Sequence, residues 1–268
     1  MRNILLIAGN AFRETLSMKL VYAVLVLGFG LLALMTIPMV LFDYALEAGD
    51  AEQLEWFMFV FVNMLVNGFW LITMVLALLL GSMAVSGEIK RRTIVTILAR
   101  PVERWQYMLG RWLGIACFLV IVQTISVVLA AALVNHHGIY PSTLIFVAIA
   151  ETYVSMLLYL TIAMALGAVL SAAPAFAVTV IVLWLLPILA EEIRFITNPS
   201  WYAVINAIGH VVPARMPGDL LQESFTMDMV DADYTLYWQV LGENALYGAA
   251  FFCVCAVLFT RRQIIAGS

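Results

Sequence analysis

Along this chain the apolar residues come in long blocks, and the charged residues are almost confined to the gaps between them. Uncharged stretches run from Leu20 to Phe42, Trp56 to Gly87, Trp112 to Ala150, Thr152 to Ala190 and Asn244 to Thr260. A helix crosses the hydrocarbon core with about 20 residues, so the first, second and last stretches each hold one span. The third and fourth are about twice too long for one span. Each contains a turn signal: Asn135-His136-His137-Gly138 with Pro141 in the third, Ser171-Ala172-Ala173-Pro174 in the fourth. The pattern predicts an all-α polytopic membrane protein with six spans, at about 20–42, 57–84, 107–134, 142–170, 174–194 and 240–260. Residues 1–268 form one transmembrane domain.

The segments outside the spans carry patterns of their own. At about 100° per residue, Ile4, Leu5, Ala8, Ala11, Phe12 and Leu16 share one face of residues 1–19. Asn3, Asn10, Arg13, Glu14 and Ser17 share the other, which predicts an amphipathic helix suited to a membrane interface. Leu6 and Ile7 interrupt the polar face, so a basic tail that only orients the first span is the alternative. Residues 86–101 read as a short helix, with Ser86 as cap, Glu88 in the first turn and Pro101 as the stop. Ile94, Ile97 and Leu98 fall on one stripe, while Arg92, Thr93 and Thr96 face away. Such a stripe fits docking on a cytosolic partner and resting on lipid headgroups equally well. Residues 195–239, with Asn198-Pro199, Pro213 and Pro217-Gly218, predict short apolar helices packed on the outer leaflet. The run Tyr234-Thr235-Leu236-Tyr237-Trp238 supplies an aromatic belt there.

Composition settles the solvent. The chain is 65% hydrophobic and 11% charged, with a mean hydropathy of +1.03, more apolar surface than a soluble domain can bury. Charge then sets the orientation. Of 13 Lys and Arg residues only Arg194 and Arg215 fall on one side; the rest, including the run Lys90, Arg91, Arg92, Arg100, Arg104 and Arg111, fall on the other. The positive-inside rule makes that richer side cytoplasmic, and both termini with it. Asp43, Glu47, Asp50, Glu52, Glu55 and the acids from Asp219 to Asp233 face outward, so the net charge of −4 reflects an acidic exterior. No basic patch interleaved with aromatics suggests a nucleic-acid partner. The first span is too long for a signal h-region and is expected to be retained. Cys117, Cys253 and Cys255 lie inside spans and form neither a disulfide framework nor a metal-ligand pair.

Little in the chain looks catalytic. It has no Walker A pattern, no His-Glu-x-x-His and no Gly-x-Ser-x-Gly. His136 and His137 read as solvated residues of an outer turn. The 14 methionines are spread through every segment, so a copper path of thioethers is not favoured, and no metal site is expected. Glu151 is the one carboxylate deep in a span, with Gln123 and Thr124 at similar depth to offer hydrogen bonds. It fits a structural tie between the third and fourth spans, or a lining residue of a substrate path.

The stretch Gly87-Glu88-Ile89-Lys90-Arg91-Arg92-Thr93-Ile94-Val95-Thr96-Ile97-Leu98-Ala99-Arg100-Pro101-Val102 is followed by Arg104-Trp105-Gln106-Tyr107-Met108-Leu109-Gly110-Arg111. Together with the basic N-terminal helix and six spans, it resembles an ABC-2 type permease, the membrane subunit of a type V-like ABC exporter. That broad group includes copper-enzyme maturation permeases. Arg92 stands where a glycine is usual, and Arg111 where a lysine is common. The resemblance implies an elbow helix at 1–19 and a coupling helix at 86–101 between the second and third spans. It also implies an outer helical pair at 195–239. Glu88, Arg91, Ile94, Ile97, Leu98 and Arg100 would then contact a separate ABC ATPase. Two such ATPases, binding ATP and Mg, would serve two permease copies or a permease and its paralogue, embedded in the lipids of a prokaryotic inner membrane; this chain would bind no cofactor itself. The other readings are an ATP-independent membrane scaffold or assembly factor and, less well supported by the residues, an intramembrane enzyme.

Overall fold

The computed structural model describes residues 2–46, 51–91, 103–136, 145–185 and 234–261. Among them the backbone is helical except at Met18, Glu103, Leu170 and Ser171, with no strand: α1 (Arg2–Ser17), α2 (Lys19–Leu46), α3 (Ala51–Arg91), α4 (Arg104–His136), α5 (Ile145–Val169), α6 (Ala172–Val180) and α7 (Tyr234–Arg261). A π-helical turn, Ile181–Leu185, continues α6. Among the described residues four helices are long and apolar enough to cross a membrane, through Asn67–Gly87, Arg104–Ala132, Ile149–Val169 and Leu241–Phe259. Helices α1 and α2 meet at a 60° bend and together make a fifth candidate. Of the six predicted spans, the first qualifies only as part of that bent pair. The fifth passes outside the described residues after Leu185.

The turn signal at Ser171 does what its composition demands. The chain bends at Leu170, Ser171 takes an extended backbone (φ −73°, ψ 164°), and α6 starts at Ala172. Pro174 sits in the first turn, where its missing N–H removes no helical bond. One predicted boundary fails. Helix α3 does not stop near residue 84 but runs on to Arg91, so Ser86 caps nothing. Its hydroxyl donates back to the Ser82 carbonyl at 2.6 Å, as the Ser82 hydroxyl does to Leu79 at 2.9 Å. Serines bonded into their own helix signal no break, and a single glycine at 87 costs only about 1 kcal/mol. Tyr234–Trp238, read as an aromatic belt, opens α7, whose apolar span Leu241–Phe259 matches the predicted 240–260.

Helices α3 and α5 form the centre of the bundle: 72% of each apolar window is buried, against 39% for α4 and 11% for α7. Leu76, Ala77, Leu80 and Val85 of α3 meet Leu158, Leu160, Ala163 and Met164 of α5 in that core. Lipid tails are as apolar as leucine, so helices associate in a bilayer through close packing and polar bonds rather than hydrophobic drive. Small residues permit the closeness. A Cβ at Gly81 would stand 2.7 Å from both the Ala163 Cβ and the Leu160 carbonyl, and one at Gly167 would stand 2.5 Å from the Ser82 carbonyl. Gly110 and Gly114 of α4 do the same for α1, where added Cβ atoms would meet Ile4, Ile7, Ala8 and Ala11. The N-terminal helix is thus divided. Ile7, Ala11 and Thr15 turn toward the protein, while Leu5, Leu6 and Leu16 stay exposed.

Because backbone atoms oppose it, Gly81→Val has no flexible neighbour to displace and should lose ~1–3 kcal/mol or more to overpacking. Gly30→Ala, whose Cβ meets nothing within 4 Å, should be neutral or gain ~0.5–1 kcal/mol of helix stability. Thermal unfolding of the purified variants checks the opposite signs.

Candidate functional site

Two polar constellations interrupt the apolar bundle. The first lies where α3 ends and α4 begins. Arg111 stands seven residues into α4, about 10 Å along the axis, and is 6% exposed. Its Nε and Nη2 donate to the Ala84 carbonyl of α3 at 3.2 and 2.9 Å. Its Nη1 donates to the Glu14 carboxylate of α1. Ala84 lies seven residues before the end of α3, so one guanidinium joins the two helices that flank residues 92–102 at matching depth, and adds α1 to them. Glu14 is about one-third exposed, so the pair is partly screened from the Glu14 side. The sequence pattern placed Arg111 in the loop's basic run and missed its burial. Flanking Gly110 and Gly114, inside an apolar helix, were the available signal.

Beside it, Tyr107 of α4 is buried and stacks on Phe259 of α7, ring centroids 5.9 Å apart. Its hydroxyl has no hydrogen-bond partner among the described residues. Of the residues expected to contact an ATPase, Glu88 and Arg91 belong to the last turn and a half of α3. Ile94, Ile97, Leu98 and Arg100 lie outside the described residues, as do the expected Pro101 stop and residues 195–233.

The second constellation is built around Glu151, which is fully buried in α5. The Ser155 hydroxyl, one turn on, donates to Glu151 Oε1 at 2.9 Å. The Asn244 amide of α7 donates to the same oxygen at 3.2 Å and reaches the Ser155 hydroxyl at 3.4 Å. Gln123 and Thr124 do lie alongside, but they bond the next residues. Gln123 Nε2 donates to the Thr152 hydroxyl at 3.3 Å, and the Thr124 and Tyr153 hydroxyls are 2.8 Å apart. Helix geometry explains the correction. Successive side chains point about 100° apart, so 152 and 153 face α4 while 151 and 155 face α7. The hydrogen bond from Asn244 thus ties Glu151 to α7, while Thr152 and Tyr153 make bonds to α4. Asn244 was invisible in the sequence because it stood at the edge of an apolar stretch and read as a boundary residue.

Chemically, this second group is a set of hydrogen-bonded donors and acceptors in an apolar setting, with the buried Gln123 Oε1 and Glu151 Oε2 atoms accepting no hydrogen bond among the described residues. Cys117, Cys253 and Cys255 are free, the last one buried. Among the described residues no group of three or more His, Cys, Asp or Glu is placed to hold a metal ion. A family model described as ABC-2 family transporter protein matches residues 5–264. No curated protein matches the chain.

Glutamine retains an oxygen that can accept from both Ser155 and Asn244. Glu151→Gln should therefore leave the unfolding free energy within ~0.5 kcal/mol, whereas Glu151→Leu strands both donors and should cost about 1–3 kcal/mol. Asn244→Leu should resemble the latter. Thermal unfolding separates the outcomes, and a Gln variant as unstable as the Leu variant would show that the charge itself is required.

Proposed function

The chain belongs to the ABC-2 family of transporter proteins, and from that membership we propose that it is the permease subunit of an ATP-driven exporter. As a member of this family it is a membrane component rather than the ATPase, and an ABC ATPase is its general partner. In the proposed assembly two permeases, alike or paralogous, pair in the inner membrane of a prokaryotic cell. Two ATPases supply ATP and Mg chemistry from the cytoplasm, and the substrate passes between the permeases. Six spans place both termini on the cytoplasmic side, as the distribution of basic residues favours. Helix α1 serves as the elbow, and 195–239 lies outside.

Coupling runs through the segment that begins at Glu88. Because α3 continues to Arg91, the docking element follows it directly, with Ile94, Ile97 and Leu98 as the face turned to the ATPase and Glu88, Arg91 and Arg100 around it. The observation that supports this reading is the Arg111 clamp. A segment that must transmit a push needs both its ends held to the bundle, and Arg111 holds the helix before it to the helix after it. An ATP-independent scaffold has no such requirement.

Charging the docking face tests the proposal. Ile97→Asp would place a carboxylate in a packed contact, at a cost of several kcal/mol. The ATPase should then fail to copurify, or its hydrolysis should lose its response to substrate, although the permease still inserts. Arg100→Ala removes one headgroup contact, worth about 1 kcal/mol, and should leave membrane residence unchanged. If Ile97→Asp preserves both association and transport, the docking role is wrong and the scaffold reading replaces it.

A further inference from the structure

Helices α4, α5 and α7 do not close fully on one another. They leave a cleft of about 420 Å³, open along one side. Leu109 and Trp112 of α4, Leu157 and Leu158 of α5, and Gly248 and Phe252 of α7 form much of its wall. Trp112 and Phe252 meet edge to face at 5.8 Å. These positions fall within three of the apolar stretches able to cross a membrane, so the cleft lies at the depth of lipid chains.

Polar groups reach this wall, but their donors are engaged. The Trp112 indole N–H donates to the Thr161 hydroxyl at 2.9 Å, and that hydroxyl donates to the Leu157 carbonyl at 2.7 Å. The Asn244 amide nitrogen is bonded to Glu151 and Ser155. A buried water needs two to four polar partners, and an apolar cavity of this kind stays dry and takes apolar guests. A polar solute would forfeit its hydration for few new bonds. The surroundings supply the guest. Helix α7 exposes Leu246, Val254, Val257 and Leu258, so the helix that walls the cleft has a large apolar surface toward the bilayer.

We propose that this cleft seats a fatty acyl chain of a bilayer phospholipid, held between α5 and α7 below the Glu151–Asn244 tie. The site requires only that the three helices lie in the membrane, and it stands independently of export or ATPase coupling. Gly248 supplies the space. A Cβ there meets Leu158 at 3.9 and 4.0 Å, ordinary contact distances, so a larger side chain can grow into the cleft without moving backbone.

The test uses the full-length protein, purified in detergent, with phosphatidylcholine as the probe. Native mass spectrometry should find phospholipid retained by the unsubstituted chain after extended washing. Added phosphatidylcholine should raise its unfolding temperature. Gly248→Phe fills the cleft and should weaken retention at least about tenfold, ~1.4 kcal/mol, and lose the thermal response. Gly248→Ala leaves the cleft open and should behave like the parent. Ala249→Leu, also in the wall, is the second filling variant should Gly248→Phe fail to fold. Equal retention by a folded, filled variant overturns the proposal. So does lipid-free parent protein, or a filled variant whose only change is a lost dimer, which would assign the cleft to a second copy of the chain.

Discussion

A guanidinium carried two turns into an apolar helix has to be matched where it lies, and Arg111 is matched from two other helices at once. Arginine cannot shed its proton, so burial without partners would leave an uncompensated charge. The planar fork meets the need. Two of its nitrogens converge on the Ala84 carbonyl while the third takes Glu14. Lysine, a point charge on a flexible stem, could not serve the carbonyl and the carboxylate in this bidentate way. The match in turn fixes neighbours. Glu14 can reach only because α1 approaches α4 at Gly110 and Gly114, where side chains would hold it away. The registry of α1, α3 and α4 therefore follows from one charge and two glycines.

The rest of the bundle obeys the same economy of lipid-immersed packing. Close approach at Gly81 and Gly167 sets α3 against α5, and polar bonds then join the more peripheral helices to this pair. Trp112 bonds α4 to Thr161 of α5, and Asn244 bonds α7 to Glu151. Helix α7, little buried along its apolar window, is fastened at its two ends by the Asn244 bonds and the Tyr107–Phe259 stack. Between them Phe252 meets Trp112 edge to face and Cys255 is buried, and the cleft opens beside these contacts.

Much of this was legible in the sequence, because hydropathy and turn chemistry act locally. The blocks of apolar residues located α3, α4, α5 and α7, and Ser171–Pro174 marked the start of α6. The amphipathic pattern located α1, although Ile7, which looked like a flaw in its polar face, belongs to the side packed on α4. What failed depends on tertiary partners. Ser86 reads as a cap until its hydroxyl is seen bonding one turn back. Arg111 reads as a loop charge until Ala84 and Glu14 are seen around it. Glu151 announced itself as a buried acid, but no periodicity could tell that its partner would come from α7, 93 residues away. The stripe of Ile94, Ile97 and Leu98 remains a property of the sequence alone.

A permease works only if events at its ATPase reach the membrane helices, and on this reading the Arg111 clamp is the mechanical link at the base of the coupling segment. The direct measurement is a double-mutant cycle. ATP hydrolysis by the reconstituted complex is compared for the parent, Glu14→Gln, Arg111→Met and the double variant. A working clamp predicts strong non-additivity: each single substitution lowers substrate-stimulated hydrolysis, and the double variant falls little further, with a coupling of ~1–2 kcal/mol. Independent, additive effects, or hydrolysis indifferent to all three variants, would contradict it.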